Sequence, residues 1–98
     1  MSTVMCGGTS GERKPSDDEV ELALKVKSDV ESQLNRTFNT FKPTGVRTQV
    51  VAGVNYFFKV MVGDNEFVHL RVHRTLQRDV QLHGVQHGKK QEDELTYF

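Results

Sequence analysis

Four histidines, one cysteine and several acidic clusters are the residues of this chain that could do chemistry. His69 and His73 lie four apart, as do His83 and His87. On a helix that spacing puts two imidazoles on one face and suits a metal ion. On a strand it separates them by about 13 Å, beyond shared coordination. The stretch around His69 and His73 alternates like a strand, and glycines at 84 and 88 make a poor helix around the other pair. All four are therefore expected as polar-face residues rather than ligands. Cys6 sits in a Gly-, Ser- and Thr-rich segment with no fixed base beside it. A nucleophilic thiol needs a positioned base, so Cys6 reads as an incidental thiol, able at most to form an intermolecular disulfide. Asp17, Asp18 and Glu19 are explained by a helix start, where carboxylates favour the positive end of the dipole. Glu92, Asp93 and Glu94 read as a solvated run. Gly7, Gly8 and Gly11 lack the preceding strand and the following Lys-Ser/Thr of a phosphate loop. No enzyme, metal site or cofactor is expected from these residues.

Composition bounds the rest. Ninety-eight residues make one domain, expected over 1–98, with 36% hydrophobic and 27% charged residues. Thirteen basic and thirteen acidic residues cancel. That argues against nucleic acid or an anionic membrane surface as partner, since both are held mainly by excess Lys and Arg. No apolar run approaches the roughly 18 residues of a membrane span, and the first residues do not read as a signal peptide. A single cysteine excludes an internal disulfide, which fits a cytoplasmic domain.

The elements that must position any site follow from periodicity. Residues 1–14 have no period and are expected as a flexible arm. Ser16 with Glu19 three residues on forms a capping box. Val20, Ala23, Val26, Val30 and Leu34 then mark one face of a helix of about 20 residues, ended near Asn35. Phe38 to Gly45 reads as a connector pinned by Phe38 and Phe41. Strand patterning begins at Val46 and continues to Val62, then resumes from Phe67 after the polar turn Gly63-Asp64-Asn65-Glu66. Val68, Leu70 and Val72 point to the helix. His69, Arg71 and His73 point to the other face, expected to be wet, as one face of an antiparallel sheet commonly is. Thr75 to Gln91 reads as a turn and a long irregular loop, and Glu94 to Phe98 as a last strand.

The run from Val46 to Val62 is too long for one strand, which would extend roughly 55 Å. It must fold back, and its only turn chemistry is at Ala52-Gly53, because glycine takes positive φ without a steric cost. The tip so formed is apolar: Val50, Val51, Ala52, Gly53 and Val54. Hairpin tips are normally polar. Either this one is buried under the fold or it is a contact surface. To this point the residues support a small α+β binding module.

Gln49-Val50-Val51-Ala52-Gly53 matches the Gln-Val-Val-Ala-Gly motif of the cystatin superfamily. The chain resembles the stefins, the type 1 cystatins, through Met5-Cys6-Gly7, Asn55-Tyr56-Phe57, Val62-Gly63-Asp64, Phe67 to Val72, and Asp93 to Phe98. The resemblance covers nearly the whole chain. It implies a cystatin-like α+β fold, one long helix wrapped by a four- to five-stranded antiparallel sheet. It also implies reversible, tight, competitive inhibition of papain-like cysteine proteases such as cathepsins.

On that resemblance three segments would fill the protease cleft as a wedge. Val4, Met5 and Cys6, with the bend at Gly7, would enter the non-primed subsites. Gln49, Val50, Val51, Ala52 and Gly53 would form the first hairpin, and Leu76 and Gln77 the second, where the family commonly has Leu-Pro. A monomer is expected, with a domain-swapped dimer as a further state of the long β-run. Two other functions compete: a cystatin-fold scaffold with weak or no inhibition, suggested by Gln77, and a metal-dependent enzyme using the histidines.

Overall fold

The computed structural model describes residues 11–98. Ser16 starts the helix as its sequence requires. The Glu19 amide donates to Ser16 Oγ (3.3 Å) and the Ser16 amide donates to Glu19 Oε1 (2.9 Å), so both halves of the capping box are present. The helix is not one piece. It runs as α1 (Asp17–Lys25) and α2 (Lys27–Leu34), joined at Val26, whose φ of −98° and ψ of 5° leave the helical region. Nothing in the residues flanking Val26 explains the break. The apolar stripe survives it, with Leu22, Ala23, Val26 and Val30 all buried. Asn35 closes α2 in the left-handed conformation (φ 55°) that asparagine tolerates.

Four strands follow: β1 (Lys42–Val51), β2 (Gly53–Gly63), β3 (Glu66–Arg74) and β4 (Val80–Lys89). They form an antiparallel sheet in sequence order. Val46, Tyr56, Phe58, Val60, Val62, Val68, Leu70 and Val72 point to the helical segments and make the core with them and Phe38. The architecture is thus the α+β arrangement expected, helix against antiparallel sheet.

Several boundaries differ from the expectation, each for a physical reason. β1 starts at Lys42, through Pro43 and Gly45, rather than at Val46. Proline is tolerated there because β1 is an edge strand and a bulge lies between Pro43 and Gly45. The segment expected as an irregular loop contains β4. Its period-2 pattern is hidden by irregularities in the β3–β4 register.

The last residues do not form a strand. They run across the sheet and cover the face expected to be wet. Arg47, Phe57, Arg71 and Gly84 are partners in one row across β1, β2, β3 and β4, and the terminal segment lies along it. Arg47 donates to the Leu95 carbonyl (2.7 Å) and Arg71 to the main-chain oxygen of Phe98 (2.8 Å). The Phe57 ring meets Tyr97 edge-on at 5.4 Å and lies 6.0 Å from Phe98. Leu95 is fully buried. On the next row Lys59 Nζ donates to the Gln91 carbonyl (2.8 Å) and lies 3.5 Å from Glu12 Oε2.

His69 shares this covered face, so it is buried rather than exposed as expected. Burial, then the positive charges of Lys59 and Lys89, push its pKa down to about 4. Among the described residues its Nε2 finds no hydrogen-bond partner.

Candidate functional site

The turn between β1 and β2 falls where the sequence places it. Val50 pairs with Val54 and Val51 with Gly53 across a tight tip. Val50 is 62% exposed and Val51 42%, and Ala52 is exposed as well. The tip is therefore a surface and not a buried turn. Gly53 has a φ of +97°, which side chains rarely adopt. It is also buried, because its α-carbon abuts the main chain of Arg74 and Thr75 at the end of β3. A β-carbon there would collide with the Arg74 carbonyl oxygen.

Gly53 thus brings the second hairpin beside the first. That hairpin, Thr75 to Asp79, is held by Thr75. Its amide donates to the Asp79 carbonyl (2.8 Å), its carbonyl accepts from the Arg78 amide (2.9 Å), and its hydroxyl accepts from the Asp79 amide (3.0 Å). Arg78 takes the left-handed conformation (φ 73°). The turn is closed without a proline, and it holds Leu76 74% exposed, the most exposed large apolar residue among those described, with Gln77 exposed next to it.

Behind the two tips a polar row crosses the sheet. Gln49, Asn55, His73 and Gln81 are register partners on β1, β2, β3 and β4. The Asn55 amide group donates to Gln49 Oε1 (2.9 Å), and Asn55 Oδ1 lies 2.7 Å from His73 Nδ1, which donates to it. The His73 ring stacks on His83 at 5.4 Å. Asn55 is buried, so these bonds satisfy a side chain that water does not reach. No group of three His, Cys, Asp or Glu side chains comes together among the described residues. Sequence reading places the second hairpin around Thr75 to Arg78, where the structure has it, but it missed Asn55 and His73. Asn55 and His73 could have been found by aligning the polar positions of neighbouring strands.

On the other side of the tip lies the start of the described chain. The Arg13 amide donates to the Val46 carbonyl (3.0 Å) and the Val46 amide to the Arg13 carbonyl (2.8 Å), an antiparallel bridge on the free edge of β1. The Arg13 guanidinium grips Glu19 with two bonds, 2.6 and 2.7 Å. That pairing holds the Glu19 carboxyl below its usual range and raises Arg13. Val4, Met5, Cys6 and Gly7 lie outside the described residues.

Two exposed apolar tips lie side by side at one end of the sheet and form a contact surface. Comparison with known proteins gives the class. Residues 7–97 match the cystatin domain, and the chain belongs to the cystatin family. That membership supports inhibition of papain-like cysteine proteases and no catalysis of its own. The chain is 43% identical to cystatin-B of Pan troglodytes, 42% to that of Homo sapiens and 43% to that of Bos taurus. Each match spans 97% of this chain and the whole of the relative.

Proposed function

We propose that this chain is a reversible, competitive inhibitor of papain-like, cathepsin-type cysteine proteases, acting in the cytoplasm, and that it blocks the cleft with three segments. The first is the hairpin Gln49 to Gly53. The second is the turn carrying Leu76 and Gln77. The third is the arm with Val4, Met5, Cys6 and Gly7. The observation that carries this is the exposure of Val50 and Val51 beside Leu76, with Gly53 seated against Arg74 so that both tips keep one relative position.

Apolar side chains held at a rigid edge gain affinity by desolvating a cleft without the entropy cost of ordering a loop. A wedge that straddles a catalytic thiol, with no peptide carbonyl in attack geometry, occupies the site and is not cleaved. A standard protease–inhibitor interface buries about 1,600 Å² in total, within reach of three short segments. Titration of active papain tests the proposal. Loss of activity with one-to-one stoichiometry and recovery on dilution is expected. No inhibition at micromolar protein would leave the scaffold reading.

A further inference from the structure

The two edges of the sheet are guarded differently. β1 carries Pro43, the bulge beside it and the Arg13 bridge on its outer side. Proline, bulges and a covering segment are the ordinary means of blunting an edge against another chain. β4 ends the strand order on the other side, and among the described residues no further strand pairs with its outer edge. From Val80 to Lys89 it has no proline and a single charge, Lys89 at its end, in a chain of which 27% is charged. A long, uncharged edge with a free row of amides and carbonyls is a template for another strand.

The outer edge of β4 is complementary to itself. The irregularity between Arg71 and Val72 gives β4 one extra residue, His83. Leu82, opposite Val72, and Val85, opposite Leu70, therefore both face the helices. Both are only partly buried there. Gln81 and Gln86 lie opposite His73 and His69 and face the other way. With a second β4 laid antiparallel so that Leu82 meets Val85, every pair agrees in face. Val80 then meets His87, which lies beside Leu34 of α2 on the helix side. Gln81 meets Gln86 on the opposite face, and His83, stacked on His73, meets Gly84. Each contact occurs twice about a two-fold axis, as an isologous interface requires. A slip of one residue would set apolar side chains against glutamines. No charged residue lies between Val80 and Gly88, so two copies meet along this stretch without like-charge repulsion.

We infer that β4 is a docking strand for a second copy of this chain: two β4 strands pair antiparallel, Leu82 against Val85, and join two sheets into one. The two-fold axis stands perpendicular to that sheet. The helices of both copies then lie on one side, and the two pairs of hairpin tips point to opposite ends. Both pairs of tips stay open, so the inference does not depend on what they bind. Segment exchange, by contrast, has to open the β1–β2 turn. One strand edge is smaller than the standard interface of about 1,600 Å², so this dimer is weak and exchanges rapidly.

Sedimentation velocity of the full chain, with reductant present to keep Cys6 from cross-linking, should show reversible dimerisation between about 10 µM and about 1 mM, as for a weak interface. Over that range NMR shifts should change for the β4 amides and stay fixed for β1, Ala52 and Gly53. No association at about 1 mM, or shifts centred on β1 or the tips, overturns the inference. A slowly exchanging dimer with altered Ala52 and Gly53 amides is segment exchange, and it overturns the inference too. Two double variants test the register. Gln81→Lys with Gln86→Lys sets like charges against each other twice, whereas Gln81→Lys with Gln86→Glu sets opposite charges there. The second should dimerise about tenfold more tightly than the first. Equal dimerisation of the two folded variants overturns the Leu82–Val85 register. The wild-type shift pattern decides the docking strand whether or not the variants fold.

Discussion

Gly53 touches Arg74 through bare main chain: the glycine α-carbon sits where any side chain would strike the Arg74 carbonyl oxygen. The tip of one hairpin is thereby set on the root of the other. Glycine is needed twice over, for its φ of +97° and for the missing β-carbon.

Gly53→Ala is the smallest change that separates the hairpins. It should weaken papain inhibition on the order of 100-fold, about 2.8 kcal/mol. The cost in stability should stay near 1–3 kcal/mol, the range for a strained backbone position. Inhibition constants and urea unfolding, measured side by side, check both. Unchanged inhibition would mean the tips do not act as one edge.

Leu76→Ala probes the second tip. Leu76 is 74% exposed, so its removal should alter stability by less than about 0.5 kcal/mol. Inhibition should weaken by more than about 1 kcal/mol, roughly fivefold or greater, if Leu76 is an anchor in the cleft. Equal small effects on both would make the second turn a spectator.

The terminal segment is tested at Leu95. It is fully buried over the sheet, so Leu95→Ala should cost about 2–5 kcal/mol of stability, the range for emptying a packed site. Below its lowered melting temperature the variant should inhibit nearly as well as the wild type, because Leu95 lies on the Arg47–Phe57–Arg71 row, one row further from the tips than Gln49–Asn55–His73. A loss of inhibition matching the loss of stability would contradict that separation.

Stability should fall in mild acid through His69. Its pKa in the folded chain is about 4 against an ordinary 6.5. The folded state therefore binds fewer protons than the unfolded one between those values, so this contribution is fully present above about pH 6.5 and is lost as pH falls toward 4. The full loss is on the order of 3 kcal/mol. Urea unfolding at pH 7 and pH 5 should show a smaller drop in His69→Gln than in the wild type. Identical pH slopes would exclude His69 as the source.

The core was legible in the sequence because it follows period. The alternation from Val46 to Val72 and the stripe from Val20 to Leu34 each name one face, and those faces meet. The first tip was legible because only Gly53 could turn the run. What failed to show in the sequence depended on tertiary pairing. β4 hides behind its bulges and glycines, since a strand supplied with a partner needs little pattern of its own. Glu94 to Phe98 has strand composition but finds its partner in side chains, with Phe57 and two arginines taking the place of a hydrogen-bonded neighbour. His69 looked solvated because Arg71 and His73 beside it are polar, while the cover over that face comes from residues more than twenty positions away. The polar row Gln49–Asn55–His73 needs the register of three strands before it can be seen.

The terminal segment laid across Arg47, Phe57 and Arg71 changes how the sheet comes apart. In a plain meander an edge strand can peel away one ladder bond at a time, so each hairpin has its own local opening. Here Leu95, Tyr97 and Phe98 are fastened to β1, β2 and β3 together. Neither outer strand of the three can leave β2 without also shedding this cover. Transverse fastening of that kind couples the opening of β1, β2 and β3, so the three strands should come apart together rather than one at a time.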